Sequence, residues 1–97
     1  MATVFIPSLM QALTGGKDRV TVAGSTVRQI VNNLEEEFPG IKERLVDNNR
    51  IKSNISVAVD GVVSPMGMLE EVKEDSEVHF LPAIAGGGFL EYSDSEV

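Results

Sequence analysis

The fold is decided by residues 26–40, which read TVRQIVNNLEEEFPG. Their apolar residues recur at positions i, i+3, i+4, i+7 and i+11, the stripe of one amphipathic helix: Val27, Ile30, Val31, Leu34 and Phe38. Thr26 and Gln29 have the spacing of a capping box at the start, and Pro39-Gly40 ends the pattern. The segment therefore predicts a helix of about three turns with a single apolar face.

Short strands are predicted before and after this helix in the sequence. Residues 3–7, 19–22, 55–59 and 77–81 are predicted to be strands, in which successive side chains point to opposite faces of the sheet. A loop at 13–18 would join the first two strands as a hairpin, and residues 41–46 would form a further helical turn. Asp60-Gly61 is typical of a turn, and Pro82 would close the last strand.

One helix covers only one face of such a sheet, so we predict an α+β fold with a mixed four- to five-stranded sheet and an open second face. Eight residues are predicted to face the helix: Val4, Ile6, Val20, Val22, Val57, Val59, Val78 and Phe80. Phe5, Ala58, His79 and Leu81 would lie on the open face. Exposed Phe5 and Leu81 on neighbouring strands would suit a protein partner, although single exposed apolar residues are also ordinary.

The composition limits the class of protein. Ninety-seven residues, 42% hydrophobic and 24% charged, are typical of one folded domain, and no apolar run is long enough to span a bilayer. The first residues lack the pattern of a signal peptide, which favours the cytoplasm. Fifteen acidic against eight basic residues argue against nucleic acid and for basic protein partners. The lack of cysteine excludes disulfides, thiolate metal sites and cysteine nucleophiles.

Catalytic and metal-binding patterns are weak. His79 is the only histidine, with Glu77 on the same strand face, and no serine is visibly placed as a nucleophile, so we expect a surface or interface role. Gly15-Gly16-Lys17 lacks the spacing of a phosphate loop, and Asp47-Asn48-Asn49 lacks that of a calcium loop. We predict no catalytic residue and no metal site.

Glu35-Glu36-Glu37 occupies the last turn of the predicted helix, where the helix dipole disfavours anions. No basic residue precedes these acids by three or four positions. The triplet is interpreted as a solvated acidic face, with a docking surface for a basic partner as the alternative.

The chain after the last strand carries the strongest functional signal. Ala83-Ile84-Ala85-Gly86-Gly87 contains no charge and ends in two residues without side chains. From Pro82 to Gly87 an extended chain would reach about 20 Å, enough to enter another protein's active site. Glycine has no Cβ to collide with the walls of a channel, although Gly-Gly is also common in linkers. We therefore place a boundary here, with a domain at 1–87 and an extension at 88–97.

Four stretches together resemble a known family: residues 3–7, Leu13-Thr14-Gly15-Gly16, residues 38–45 (FPGIKERL) and residues 80–87 (FLPAIAGG). The chain resembles the ubiquitin-like β-grasp sulfur carriers related to the thiamin and molybdopterin carrier proteins. The branch that serves cysteine biosynthesis is the most similar. The ending Leu-Pro-Ala-x-Ala-Gly-Gly is the specific part of the resemblance.

The resemblance implies that an E1-like enzyme adenylates the Gly87 carboxylate with ATP and magnesium, after which it becomes a thiocarboxylate. In the cysteine branch the sulfur attacks an aminoacrylate on a pyridoxal-phosphate-dependent cysteine synthase, and a metalloprotease releases the product. The carrier binds no cofactor itself and acts as a substrate. The predicted partner-binding residues are Phe5, His79, Leu81, Pro82, Ala83, Ile84 and Ala85, and the predicted activation site is Gly86-Gly87.

The usual family pattern ends at the diglycine, whereas residues 88–97 follow it in this chain. A free Gly87 carboxylate therefore requires their removal. We expect a cut between Gly87 and Gly88, by the same type of metalloprotease. Phe89 and Tyr92 indicate that the extension is recognised, and an idle solvated end is the alternative. Three alternatives stay open. The chain could be a modifier joined through Gly87 to lysines, or a carrier for thiamin, molybdopterin or another sulfur-containing metabolite. It could also be an uncut binding module that uses Phe5, His79 and Leu81.

Overall fold

The computed structural model describes residues 1–82. In chain order the elements are β1 (Ala2–Phe5), β2 (Arg19–Val22), α1 (Val27–Glu37), α2 (Ile41–Leu45), β3 (Val46–Asp47), β4 (Arg50–Ile51), β5 (Ile55–Val59), β6 (Val62–Val63) and β7 (Glu77–Pro82). Two 3₁₀ helices, Ser8–Thr14 and Gly67–Leu69, lie in the connections. Among these elements no helix has the length and apolar character needed to span a membrane.

The main sheet has five strands in the order β2-β1-β7-β5-β6. β1 and β7 are parallel, whereas β1 with β2, β5 with β7 and β5 with β6 are antiparallel, so the sheet is mixed. β3 and β4 form a separate hairpin. The first and last strands of the described chain are thus neighbours in the middle of the sheet.

The core lies between α1 and one face of this sheet. Val27, Ile30, Val31 and Leu34 of α1 are fully buried, and burial of an aliphatic side chain of this size stabilises the fold by about 1.5–3 kcal/mol. The residues predicted to face the helix all belong to this core or pack against it, with Val59 only partly buried. The predicted assignment of these eight side chains to the face that α1 covers is confirmed.

Hydrogen bonds at the start of α1 modify the predicted capping box. The Thr26 hydroxyl accepts the Gln29 backbone N–H at 3.2 Å, as expected for an N-cap. The Gln29 side chain, however, accepts the backbone N–H of Ser25 at 2.8 Å and its hydroxyl at 3.0 Å. The box therefore closes one residue earlier than the spacing predicts.

The structure adds short elements that the sequence pattern did not predict: the two 3₁₀ helices and the strands β3, β4 and β6. The Ser8–Thr14 3₁₀ helix joins β1 to β2 and ends at Gly15, whose φ of 67° is left-handed. The predicted Asp60-Gly61 turn is present, with φ of 53° and 86°, and leads into β6. β6 has two residues, too few for an alternating pattern to indicate a strand.

Candidate functional site

Three neighbouring strands place Arg19, Phe5 and His79 side by side on the face of the sheet opposite α1. In the register Phe5 lies opposite Arg19 of β2 and beside His79 of β7. The Phe5 and His79 rings stack with centroids 4.1 Å apart and planes 5° from parallel. The Arg19 guanidinium carbon lies 5.2 Å from the Phe5 centroid, within cation–π range. The predicted pair Phe5 and His79 is therefore in direct contact.

Leu81 extends this surface toward the end of β7. It follows His79 by two residues, so its side chain points to the same face, and it is 41% exposed. We call Arg19, Phe5, His79 and Leu81 the open-face stripe. The stripe combines apolar area, an aromatic stack and a guanidinium, and aromatic and arginine side chains are enriched in protein interfaces.

Glu77 and His79 do not form a tight dyad. The Glu77 carboxylate lies 3.7 Å from the His79 Nε2, and 34% of the His79 side chain and 61% of the Glu77 side chain are exposed. That distance is too long for a hydrogen bond, and the contact is an ion pair only when the imidazole is protonated. The geometry favours the predicted surface role over proton transfer.

Ala58 lies on the predicted open face but adds almost nothing to its surface. Ala58 lies opposite His79 in the register, but it is only 5% exposed. Its single methyl group is too short to emerge between the larger side chains of the neighbouring strands. The open-face stripe therefore covers β2, β1 and β7 without β5.

Strand β7 leads directly from the open-face stripe to the predicted activation site. Its backbone pairing continues to Pro82, which lies opposite Ile55 of β5. The other predicted chain-end residues lie outside the described residues: Ala83, Ile84, Ala85, Gly86, Gly87 and Gly88. Their roles, like the boundary after Gly87, stay predictions.

Glu35 is not the freely solvated acid that the sequence suggested. Its carboxylate accepts the backbone N–H of Lys42 at 2.9 Å and that of Gly40 at 3.2 Å. These hydrogen bonds, the one from Lys42 first, lower the pKa of Glu35 below its ordinary value of 4.5. The carboxylate thus caps the start of α2, while Glu36 and Glu37 are exposed. The positions of the three glutamates in the helix could not indicate this role. The cap forms because the chain reverses at Pro39-Gly40 and brings the first backbone N–H groups of α2 to Glu35.

Arg19 is the member of the stripe that the sequence analysis missed. Alternation along β2 does place it opposite to buried Val20. Its position beside Phe5, however, depends on the register between β1 and β2, which alternation within one strand does not specify.

The comparison with protein families establishes the family of this chain. Residues 5–87 match the model described as the ThiS family, and that match ends on the second glycine of the predicted activation site. The chain belongs to the ThiS family. This confirms the resemblance drawn from the four sequence stretches.

Two similar proteins are named as a sulfur carrier and as a protein modifier. The chain is 33% identical over 90 residues to the sulfur carrier protein CysO of Mycobacterium tuberculosis, covering 88% of this chain and 97% of that protein. It is 31% identical over 65 residues to the small archaeal modifier protein 3 of Haloferax volcanii, covering 65% of this chain and 71% of that protein.

A solved structure supports the fold. A chain in the crystal structure of the Amycolatopsis orientalis BexX/CysO complex superimposes with a TM-score of 0.83 at 36% identity, covering 90% of this chain and all of that one. The predicted ubiquitin-like β-grasp fold, with a mixed sheet and one main helix across one face, is confirmed.

Proposed function

We propose that this ThiS-family chain is a sulfur carrier of the CysO type that acts as the substrate of other enzymes. The observation that carries the proposal is the family match that ends on Gly87, the residue whose carboxylate would bear the sulfur. The similarity to the mycobacterial sulfur carrier CysO over almost the whole domain supports it.

The reaction starts with hydrolysis of the peptide bond between Gly87 and Gly88 by a metalloprotease, which creates the Gly87 carboxylate. An E1-like enzyme then binds the carrier and ATP with magnesium. One carboxylate oxygen attacks the α-phosphorus of ATP, pyrophosphate leaves, and the acyl adenylate forms. A sulfur nucleophile displaces AMP from the acyl carbon, which leaves a thiocarboxylate on Gly87.

The described residues supply docking rather than chemistry. The open-face stripe ends at Leu81, six positions before Gly87, so an enzyme that holds the stripe also receives the start of the chain end. An extended segment of six residues spans about 20 Å. The body of the domain therefore stays outside the active site while Gly87 reaches the nucleotide.

The acceptor that we propose is an aminoacrylate on a pyridoxal-phosphate-dependent cysteine synthase. The thiocarboxylate sulfur would add to the β-carbon of the aminoacrylate and yield a carrier-bound cysteine, which a metalloprotease releases. The structural match to the BexX/CysO complex shows a protein of this fold together with a second protein. Thiamin and molybdopterin synthesis are the alternative destinations for the sulfur.

The test compares three lengths of the chain, ending at Gly86, Gly87 and Val97. Each is incubated with an E1-like enzyme, ATP, magnesium and a sulfide source, and the intact mass is measured. Only the form ending at Gly87 should gain the mass that accompanies exchange of one oxygen for sulfur. Equal loading of the forms ending at Gly86 or Val97, or loading of none while a known carrier is loaded, would refute the proposal.

A protein modifier joined through Gly87 to lysine side chains is the second candidate. The similarity to the small archaeal modifier protein 3 supports it. Activation by adenylation is common to both functions, so the products separate them. Covalent adducts with lysines of other proteins, carrying residues 74–87 as the remnant after tryptic cleavage at Lys73, would favour the modifier over the carrier.

A further inference from the structure

A second surface lies where β7 leaves the sheet. A groove of about 430 Å³ there is lined by apolar Leu9, Ile55, Phe80 and Leu81 and by basic Arg44 and Lys52. We call it the exit groove, because Pro82, the last residue described, pairs with Ile55 in its wall. Leu81 belongs both to this groove and to the open-face stripe.

The exit groove exposes apolar side chains that a bound segment would cover. Leu9, in the first 3₁₀ helix, is 88% exposed, and Leu81 is 41% exposed. Neither Arg44 nor Lys52 forms an ion pair with another residue of 1–82. An apolar groove with two uncompensated positive charges is thus present on a protein whose formal net charge is −7.

The sequence after Gly87 is complementary to this groove. Residues 88–97 read GFLEYSDSEV, in which Phe89, Leu90 and Tyr92 are apolar or aromatic. Three acids and no base accompany them: Glu91, Asp94 and Glu96. Five residues, 83–87, join this segment to Pro82 in the wall of the groove.

We propose that residues 88–97 bind the exit groove of their own chain. Phe89, Leu90 and Tyr92 pack against Leu9 and Leu81, and the acids lie near Arg44 and Lys52. The connection 83–87 ends in Gly86-Gly87, and Gly88 follows. Three successive glycines permit the reversal that brings the segment back. Intramolecular attachment supplies an effective concentration on the order of millimolar, so a weak site suffices.

Bound there, the extension covers Leu81 and part of the surface that the activating enzyme would use. Resting on the proposed function, this makes the uncut chain a poor partner for that enzyme, and cleavage after Gly87 exposes both the carboxylate and Leu81. Binding of the extension itself is measured without any enzyme, so its failure and the failure of sulfur loading are separate results.

The absence of native cysteine allows a single spin label to be placed by Ser95→Cys in the full chain. Paramagnetic broadening of backbone amides is then measured in ¹⁵N-labelled protein. The amides of Leu9, Lys52 and Leu81 should lose intensity. Those of Val62 and Val63 should keep more of it, because β6 pairs with the end of β5 that lies away from Ile55. In 1 M salt, where the Debye length falls to about 3 Å, the loss should diminish.

Two variants test the contacts. Arg44→Glu with Lys52→Glu should abolish the broadening at Leu9, while the control Arg28→Glu with Arg50→Glu, which changes the net charge equally, should retain it. Phe89→Ser with Tyr92→Ser leaves residues 1–82 intact and should abolish it as well. Equal broadening at Leu9 in all these proteins would overturn the proposal. A mixture of spin-labelled protein without ¹⁵N and ¹⁵N-labelled protein without the spin label tests for contact between two molecules. Broadening that arises only between molecules would also overturn the proposal, because a second copy would then be the occupant.

Discussion

The Phe5 and His79 rings lie face to face on adjacent parallel strands, 4.1 Å between centroids. Both side chains are half-buried, so each ring shields one face of the other from water. Arg19 lies against the same Phe5 ring. The stack gives the open face a flat, ordered surface in the middle of the sheet, directly before the segment that carries Gly87.

We expect this stack to stabilise the domain by more than the burial of the two rings. A double-mutant cycle of Phe5→Ala and His79→Ala should give a coupling of about 0.5–1.5 kcal/mol in the free energy of unfolding. Urea denaturation at neutral pH measures it. The control cycle pairs His79→Ala with Thr21→Ala on β2 and should be additive. Additivity of the Phe5 and His79 changes would show that the stack contributes nothing.

Leu81 should matter more for partner binding than for folding. In a chain ending at Gly87, Leu81→Asp should weaken binding to the E1-like enzyme at least tenfold, about 1.4 kcal/mol. Its exposure predicts a change in unfolding free energy within about 0.5 kcal/mol. Calorimetric titration and urea denaturation give the two numbers. Val62→Asp, at a site 68% exposed on the edge strand β6, is the control and should leave binding unchanged. A large loss of stability in Leu81→Asp would instead mean that Leu81 belongs to the core.

Glu35 should make stability dependent on pH below neutrality. Because its pKa in the folded protein is lowered from 4.5, the ionised carboxylate stabilises the fold above that value. The contribution is lost as the pH falls from about 4.5 through the folded pKa. Glu35→Gln should therefore lower the melting temperature at pH 7, and its difference from the wild type should shrink below pH 4.5.

The matched control for Glu35 is Glu36→Gln, the exposed neighbour on the same helix. Removing that charge from the end of α1 relieves an unfavourable interaction with the helix dipole, so the melting temperature should stay the same or rise slightly. Identical melting curves for the Glu35 and Glu36 variants at pH 7 would contradict the capping role.

Leu34 tests the core that α1 forms with the sheet. It is fully buried, so Leu34→Ala should lower the free energy of unfolding by about 2–5 kcal/mol through lost burial and a cavity. Leu69→Ala, at a leucine 64% exposed, should cost less than about 0.5 kcal/mol. Denaturant unfolding of both proteins makes the comparison, and equal losses would contradict this placement of the core.

Much of the fold could be predicted from the sequence because its signals are local. The apolar stripe of α1, its Thr26 cap and its end before Pro39-Gly40 all depend on residues within one helix. The alternation in β1, β2, β5 and β7 likewise separates the helix-facing side chains from those of the open face. The end of the family match on Gly87 also agrees with a pattern readable along the chain.

Only the tertiary structure decided which of these residues meet. The parallel pairing of β1 with β7 joins Phe5 to His79 across more than seventy positions of sequence, and no periodicity within either strand encodes that register. The cap that Glu35 provides for α2 and the meeting of Leu9, Lys52 and Leu81 in the exit groove depend on chain reversals in the same way. Periodicity is a property of short segments, whereas these sites are made by packing between segments, and their positions follow from how the whole core closes.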